Sequence, residues 1–223
     1  MARQRDHPYV WVSWLPQLMI GAKICQWGVW FKAHYTDYEK VPSNFQAVPW
    51  TVQHTQMVDE LANERLALGE VVTREHQNLF HVRRSRSGLT IGGKPDLISL
   101  DRTGRYTVYD AKTGSPNDAH KIQLMLYIMF LPYSQARFKD KEFAGSIVYS
   151  NGQRIDIPAA PVDDSFVKQA SYYLNILESS APPRKSPSFG ECKFCDIGDK
   201  DCPDQIQSNS PPYVEGAEPE IPF

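Results

Sequence analysis

Cysteine and long hydrophobic runs are scarce in this sequence. Four of the 223 residues are cysteine, and three of these lie between residues 192 and 202. That usage excludes a small secreted scaffold held together by disulfides. No hydrophobic run approaches the length of a membrane-spanning helix, and the apolar stretch 10–24 is interrupted by Pro16, Gln17 and Lys23 with no cleavage site after it. We therefore expect a cytoplasmic protein without a membrane partner.

Internal repeats are also missing, as is the phosphate loop G-x-x-x-x-G-K followed by Ser or Thr, which excludes a motor of that type within these residues. The formal net charge is only −2. Residues 203–223, however, contain Asp204, Glu215, Glu218 and Glu220 and no base, so the preceding part of the chain carries a small net positive charge. The total charge therefore does not exclude a nucleic-acid partner, because the distribution of charge matters more than its sum.

A basic segment lies before the middle of the chain. Residues 76–95 contain no acidic residue but four bases, Arg83, Arg84, Arg86 and Lys94. Such a patch suits the phosphate backbone of DNA, and we name the first three as candidate DNA-binding residues. The alternative is a solvated hairpin tip, which is the more common meaning of such a run.

Two carboxylates and a lysine are expected to meet on a β-hairpin. Residues 94–100 and 105–109 are rich in β-forming side chains, and the turn sequence Asp101-Arg102-Thr103-Gly104 separates them. Pairing of these strands brings Asp96 near Asp110, and Lys112, two positions later, projects on the same face as Asp110. A divalent cation would relieve the repulsion between the carboxylates, and the ammonium could position water or stabilise charge on phosphorus. Alone, the D-x-K tripeptide is weak evidence, since exposed hairpins normally carry charges.

A helix is predicted directly after this hairpin, over Asp118 to Leu131. Gln123 and Tyr127 lie four residues apart on it and therefore share one face. They can turn toward the same site as the hairpin carboxylates. The alternative is an ordinary amphipathic helix that packs on the sheet.

These motifs, in this order, resemble the PD-(D/E)xK nuclease superfamily, and within it the branch of RecB, AddB and the CRISPR-associated exonucleases. The resemblance implies an α/β restriction-endonuclease-like core, with a mixed central sheet flanked by helices, that hydrolyses DNA with Mg²⁺ or Mn²⁺. It implies five catalytic residues: Asp96, Asp110, Lys112, Gln123 and Tyr127. It also implies four metal ligands: His54, Asp96, Asp110 and the backbone carbonyl of Ala111. Glu75 is a weaker candidate, and a lone histidine such as His54 is more often a surface or packed residue.

The cysteines give a second signal. Cys25, Cys192, Cys195 and Cys202 offer four soft ligands, which suit either tetrahedral zinc or an iron–sulfur cluster, and spacing alone does not separate the two. The resemblance implies a [4Fe-4S] cluster, since members of that branch carry one cysteine before the nuclease core and three after it. The cluster would be structural and would join both flanks of the core. Buried thiols or an adventitious disulfide are the alternative.

The chain is expected to form one nuclease domain over residues 1–202, followed by an acidic, Pro- and Ser-rich tail over 203–223 that is expected to be disordered. Helices are predicted over 11–38, 52–68, 118–131 and 163–178, strands over 71–84, 89–100 and 105–112, and a hairpin over 145–157 around Asn151-Gly152.

The expected function is therefore a metal-dependent DNA nuclease, with an exonuclease acting on single-stranded or end-containing DNA favoured. A helicase or another recombination, CRISPR or phage protein is a possible partner, because the chain has no phosphate loop of its own. The alternative is a catalytically silent DNA-binding or adaptor module stapled by a metal cluster. A zinc-stabilised protein-interaction domain is a weaker third class.

Overall fold

The computed structural model describes residues 2–41, 47–159 and 162–207. The tail predicted over 203–223 lies mostly outside the described residues. The first residues of the predicted tail are described and pack on the domain, because Asp204 accepts a hydrogen bond from Lys185 (2.7 Å).

The structure contains ten strands and six α-helices within its described residues. The strands are β1 (Arg3–Gln4), β2 (Tyr9–Trp11), β3 (Tyr35–Thr36), β4 (Val71–Arg74), β5 (Phe80–Arg83), β6 (Thr90–Gly93), β7 (Leu97–Leu100), β8 (Tyr106–Lys112), β9 (Phe143–Tyr149) and β10 (Arg154–Ile157). The helices are α1 (Pro16–Met19), α2 (Gln26–His34), α3 (Ala47–Ala67), α4 (Asp118–Phe130), α5 (Asp164–Glu178) and α6 (Phe189–Lys193).

A five-stranded mixed sheet in the order β10-β9-β8-β7-β4 forms the centre of the fold. Its strands pair antiparallel except β8 and β9, which are parallel. A parallel pair requires a crossover, and α4 supplies it. A second sheet has the order β2-β6-β5, and β1 pairs with β3. The mixed α/β architecture predicted from the sequence is confirmed.

The predicted hairpin of β7 and β8 forms, with Leu97 opposite Tyr109. Its turn is closed by the Asp101 carboxylate, which accepts hydrogen bonds from the backbone amides of Thr103 (2.8 Å) and Arg105 (2.9 Å). Gly104 provides the positive φ of 85° that the turn requires. The short-range turn chemistry therefore fixes the register that brings residues 96 and 110 together.

Helix α4 is held on the sheet by apolar packing. Asn117 caps its N-terminus by accepting a hydrogen bond from the amide of Ala119 (2.7 Å). Leu124 is fully buried and lies over Gly145 of β9, where an added Cβ would come within 2.8 Å of Leu124 Cδ2. This close packing sets the distance between the sheet and the polar face of α4, which contains Gln123 and Tyr127.

Three sequence predictions of regular structure were wrong in extent. The predicted helix 11–38 is broken into a strand end, short α1 and α2, because Pro16 starts a helical turn and Gly21, at φ 72°, ends it. The predicted strand 71–84 is interrupted by a 3₁₀ turn over Glu75–Asn78. The predicted strand 89–100 is broken at residues 94–96, where Pro95 removes a backbone donor from the ladder.

Other predicted elements are confirmed. Strands β9 and β10 pair antiparallel as a hairpin, with Gly152 at φ 84°. Helix α5 begins at its predicted place because Asp163 accepts a hydrogen bond from the amide of Phe166 (2.8 Å). Within the described part of the chain, no helix has the length and apolar character needed to cross a bilayer.

Candidate active site

A cleft of about 660 Å³ opens where β8 ends and β7 begins. Its walls come from α3, α4, the segment before β7, and the residues that follow β2. Eight of the residues named from the sequence line it or belong to its wall: His54, Glu75, Asp96, Asp110, Ala111, Lys112, Gln123 and Tyr127. Residues from five separate parts of the chain therefore converge on one concave surface.

Asp96 lies at the base of the cleft, one residue before β7. Its Oδ2 accepts a hydrogen bond from the backbone amide of Ala111 (2.7 Å). This contact follows from the hairpin register, because residue 96 faces the part of β8 that contains Ala111. The carboxylate is thereby oriented by the backbone of the neighbouring strand.

His54, Glu75 and Asp96 form a group that could hold a metal ion, with ligand atoms within 4.8 Å of one another. His54 Nε2 lies 3.3 Å from Asp96 Oδ2, and His54 Nδ1 lies 4.0 Å from Glu75 Oε1. One imidazole nitrogen and two carboxylates are a donor set compatible with Mn²⁺. Sequence reasoning placed Glu75 below Asp110 as a ligand, whereas the structure places Glu75 in this group and leaves Asp110 outside it.

Glu75 reaches the group because the strand predicted there is interrupted. Its backbone φ of +21° is unusual for a residue with a side chain. The Glu75 amide donates to the carbonyl oxygen of Asp96 (2.9 Å), which ties the two ligands together. Glu75 Oε2 also lies 3.8 Å from the ammonium of Lys94. A strained residue held in this way beside a carboxylate cluster is typical of a functional position.

Asp110 and Lys112 stand side by side at the end of β8. Lys112 Nζ lies 2.8 Å from Asp110 Oδ2 and donates a hydrogen bond to Gln123 Oε1 (3.3 Å). Gln123 Nε2 in turn lies within donating distance of Asp110 Oδ1 (3.3 Å) and of the Tyr127 hydroxyl (3.2 Å). Tyr127 donates to the carbonyl of Lys94 (3.5 Å). The face of α4 predicted to turn toward the hairpin does so.

The electrostatics of Asp110 favour a cation nearby. Its side chain is only 2% exposed, and burial raises its pKa to about 6, against the lowering effect of Lys112. Among the described residues, the Lys112 ammonium, at 2.8 Å, is the partner of the buried Asp110 Oδ2. A buried carboxylate oxygen with spare acceptor capacity, next to a second carboxylate, suits a divalent ion.

The pKa of His54 is raised, first by its hydrogen bond to Asp96 and further by the charges of Asp96 and Glu75, against the effect of burial. Burial raises the pKa of Tyr127, so its hydroxyl remains neutral and serves as a hydrogen-bond partner. The negative charges of Asp96 and Asp110 contribute to the raised pKa of both groups, and the same charges would attract a metal ion.

Two residues of the site were missed in the sequence. Asn78 is fully buried, and its amide donates to the carbonyls of Thr73 (2.9 Å) and Pro95 (3.3 Å). These hydrogen bonds stabilise the irregular segment before β7, and that segment positions Asp96. His120 lines the cleft, with Nδ1 3.1 Å from the Tyr149 hydroxyl, and burial lowers its pKa. Neither had a sequence signal, because each depends on contacts made after folding.

The three candidate DNA-binding arginines differ in their surroundings. Arg83 and Arg86 are exposed. Arg84 lies 2.8 Å from the Glu178 carboxylate and donates to Asn175 (3.0 Å). Its guanidinium is therefore used to join the basic segment to α5, which makes Arg83 and Arg86 the better candidates for contact with phosphate.

The four cysteines are free thiols that line one small cavity of about 20 Å³. They come from the start of α2 and from residues 192–202, so the fold does bring Cys25 to the distant C-terminal group. Among the described residues, however, the thiols do not form a group that could hold a metal ion as they stand.

Comparison with known proteins gives one family. The model of the PD-(D/E)XK nuclease superfamily matches residues 30–198. No curated protein sequence matches the chain. Among solved structures, the crystal structure of SSO0001 is similar with 17% sequence identity and a TM-score of 0.48, covering 92% of this chain and 90% of that one. The family match spans both the hairpin and α4, the elements that carry the cleft.

Proposed function

Because the chain belongs to the PD-(D/E)XK nuclease superfamily, we propose that it is a divalent-metal-dependent deoxyribonuclease, with residues 1–202 as its catalytic domain. The observation that carries the proposal is the convergence of His54, Glu75 and Asp96 beside the Asp110–Lys112 pair in one cleft. Binding of DNA alone would need no carboxylates near phosphate. We further propose that it acts as an exonuclease on single-stranded or end-containing DNA, with any motor supplied by a partner.

His54, Glu75 and Asp96 would hold Mg²⁺ or Mn²⁺, with the Asp110 carboxylate and the Ala111 carbonyl beside them. The ion would act as a Lewis acid on a phosphate oxygen and lower the pKa of the attacking water. The amide of Ala111 keeps Asp96 oriented, and the amide of Glu75 keeps the Asp96 backbone in place. Both contacts preorganise the ligands, so little reorganisation is needed during the reaction.

Lys112 would orient the attacking water and stabilise the charge that develops on phosphorus. Its ammonium is held between Asp110 and Gln123, which fixes its position along the cleft. Gln123 would support Lys112 and Asp110 together, and Tyr127 would anchor Gln123 from behind. In this arrangement α4 acts as a positioning element for the charged groups of β8.

The test is cleavage of end-labelled linear and circular single-stranded DNA with Mn²⁺, with Mg²⁺ and after chelation. An exonuclease degrades the linear DNA and leaves the circle intact, whereas an endonuclease cuts both. We expect activity to vanish in chelator and to return with Mn²⁺. Cleavage that survives full removal of divalent ions would contradict the proposal.

We also propose that the four cysteines hold a structural [4Fe-4S] cluster. The support is their convergence on one cavity from distant parts of the chain. Cys25, Cys195 and Cys202 also pack against the hydrophobic core, so a change there is transmitted to the fold.

Anaerobically purified protein should be brown and contain iron and sulfide, because iron–sulfur clusters absorb visible light and Zn²⁺ does not. Cys192→Ala should bleach the colour, lower the thermal midpoint and reduce nuclease activity indirectly. A colourless protein that contains stoichiometric zinc, or a variant with unchanged colour and stability, would refute the cluster.

A further inference from the structure

The outer face of the three-stranded sheet β2-β6-β5 carries aromatic and basic side chains. On β2, Val10 points into the core, so Tyr9 and Trp11 point outward. On β5, Phe80 is buried, whereas His81 and Arg83 are exposed. The alternation of the strands therefore gathers three rings and a guanidinium on one side of a sheet that adjoins the cleft.

The register arranges these side chains in two rows. Trp11 and His81 both pair with Gly92 of the central strand, and their ring centroids are 6.5 Å apart across it. Tyr9 and Arg83 both pair with Thr90 in the next row. Each row thus has one aromatic ring from β2 and one nitrogen-containing side chain from β5.

Because residue 92 is glycine, the rings of Tyr9 and Trp11 can pack directly over the central strand β6. A Cβ there would lie 1.9 Å from the Tyr9 hydroxyl oxygen and 3.3 Å from Trp11 Cε3. The rings of Tyr9 and Trp11 are themselves in edge contact, with centroids 5.3 Å apart. The face is therefore a built aromatic surface rather than a set of scattered exposed rings.

The charge around this surface is positive. Arg83 is exposed on it, the Arg5 guanidinium lies 5.8 Å from the centroid of the Tyr9 ring, and residues 76–95 contain no acid. Proteins that bind single-stranded nucleic acids combine aromatic rings with positive charge. The rings stack on the bases, since every base has a π-face, and the positive charge attracts the negatively charged phosphate linkages.

The surface continues into the cleft. Trp11 lines the cleft as well as the sheet face, and Trp50 of α3 lines it from a second element. Trp50 is 41% exposed and is stacked on His54, with centroids 5.0 Å apart. Trp50 therefore covers one member of the His54–Glu75–Asp96 group at the wall of the cleft.

We propose that this face, formed by Tyr9, Trp11, His81 and Arg83, binds single-stranded DNA and delivers it to the cleft, where Trp11 stacks on a base. As a route to a cleavage centre the assignment rests on the proposed nuclease function, but as a binding surface it is tested separately. The face would recognise unpaired bases, since a duplex offers its phosphates but not its base faces to the rings.

The first test is the affinity for a labelled oligothymidylate in Ca²⁺, in which binding can be measured apart from turnover. Trp11→Ala and His81→Ala should each weaken single-strand binding, the former roughly 5- to 150-fold, and leave affinity for a blunt duplex nearly unchanged. Trp11→Phe should retain most of the affinity and guards against a folding defect in Trp11→Ala. Tyr133→Ala, which removes a ring that is 76% exposed on another surface, is the matched control and should bind as wild type.

The second test replaces single bases of the oligonucleotide by abasic sites. Wild type should lose affinity for one or two positions, and Trp11→Ala should remove the penalty at one of them. Equal penalties in wild type and Trp11→Ala, or an unchanged single-strand affinity of Trp11→Ala, would overturn the proposal even if the protein cleaves DNA. Conversely, stacking signatures without any Mn²⁺-dependent cleavage would support the binding face and refute the nuclease.

Discussion

Replacement of Lys112 by alanine isolates one group of the proposed mechanism. The ammonium lies 2.8 Å from Asp110 and 3.3 Å from Gln123, and its side chain is 19% exposed. Removal leaves the His54–Glu75–Asp96 group intact, because the contacts that hold it come from its own side chains and from the backbone of Ala111. We expect the rate of the chemical step to fall roughly 10²- to 10³-fold, the range for loss of one charge-stabilising donor in a transition state.

The same substitution has a predictable effect on pH dependence. Lys112 lowers the pKa of Asp110, whose burial raises that pKa to about 6. Without the ammonium the pKa rises further, so the carboxyl group stays protonated to a higher pH. The acidic limb of the residual activity should therefore shift toward higher pH.

The assay is single-turnover cleavage at saturating protein over a range of pH, with DNA binding measured in Ca²⁺. Lys168→Ala, which removes an exposed lysine of α5, is the control and should cleave at the wild-type rate. A wild-type rate for Lys112→Ala would refute the assignment of the active site and favour a catalytically silent DNA-binding module.

Four further outcomes are expected. Asp110→Asn should abolish cleavage while circular dichroism and thermal melting remain nearly unchanged, since volume is preserved and a buried charge is removed. Mn²⁺ affinity, measured by calorimetry, should fall as pH falls through the raised pKa of His54, because imidazolium cannot ligate, and His54→Ala should remove that dependence. Arg83→Ala should reduce the salt slope of DNA binding by about 1 and spare the chemical step. Leu124→Ala should lower the free energy of unfolding by roughly 2–5 kcal/mol in urea titrations, because Leu124 is fully buried.

The part of the site that could be predicted is the part encoded by short-range rules. The turn at Asp101 and Gly104 fixes the β7–β8 register, and the period of two then places Lys112 beside Asp110. Helical periodicity likewise places Gln123 and Tyr127 on one face of α4. These relations need no knowledge of what the rest of the chain does.

The part that could not be predicted depends on contacts between distant segments. Glu75 enters the metal-binding group only because Asn78 supports a break in both flanking strands, and the sequence 71–84 by itself reads as one strand. The aromatic face likewise exists only because β2, from the start of the chain, pairs with β6. Single-sequence patterns contain no record of such pairings.

The attachment of α2 to the end of the chain has a consequence for biosynthesis. Trp30 donates a hydrogen bond to the carbonyl of Ser179 (2.7 Å), His34 Nε2 lies 3.0 Å from the carbonyl of Leu177, and the amide of Ile24 donates to Glu191 (2.6 Å). After the ribosome has made these residues of α2 and its N-terminal flank, it must add 143 to 167 more before their partners exist, at roughly 5–20 residues per second. The side chains of α2 that pack against these later residues therefore remain without them for at least several seconds of synthesis. Nascent chains that stall before residue 177 should be the species most prone to capture by chaperones and to aggregation.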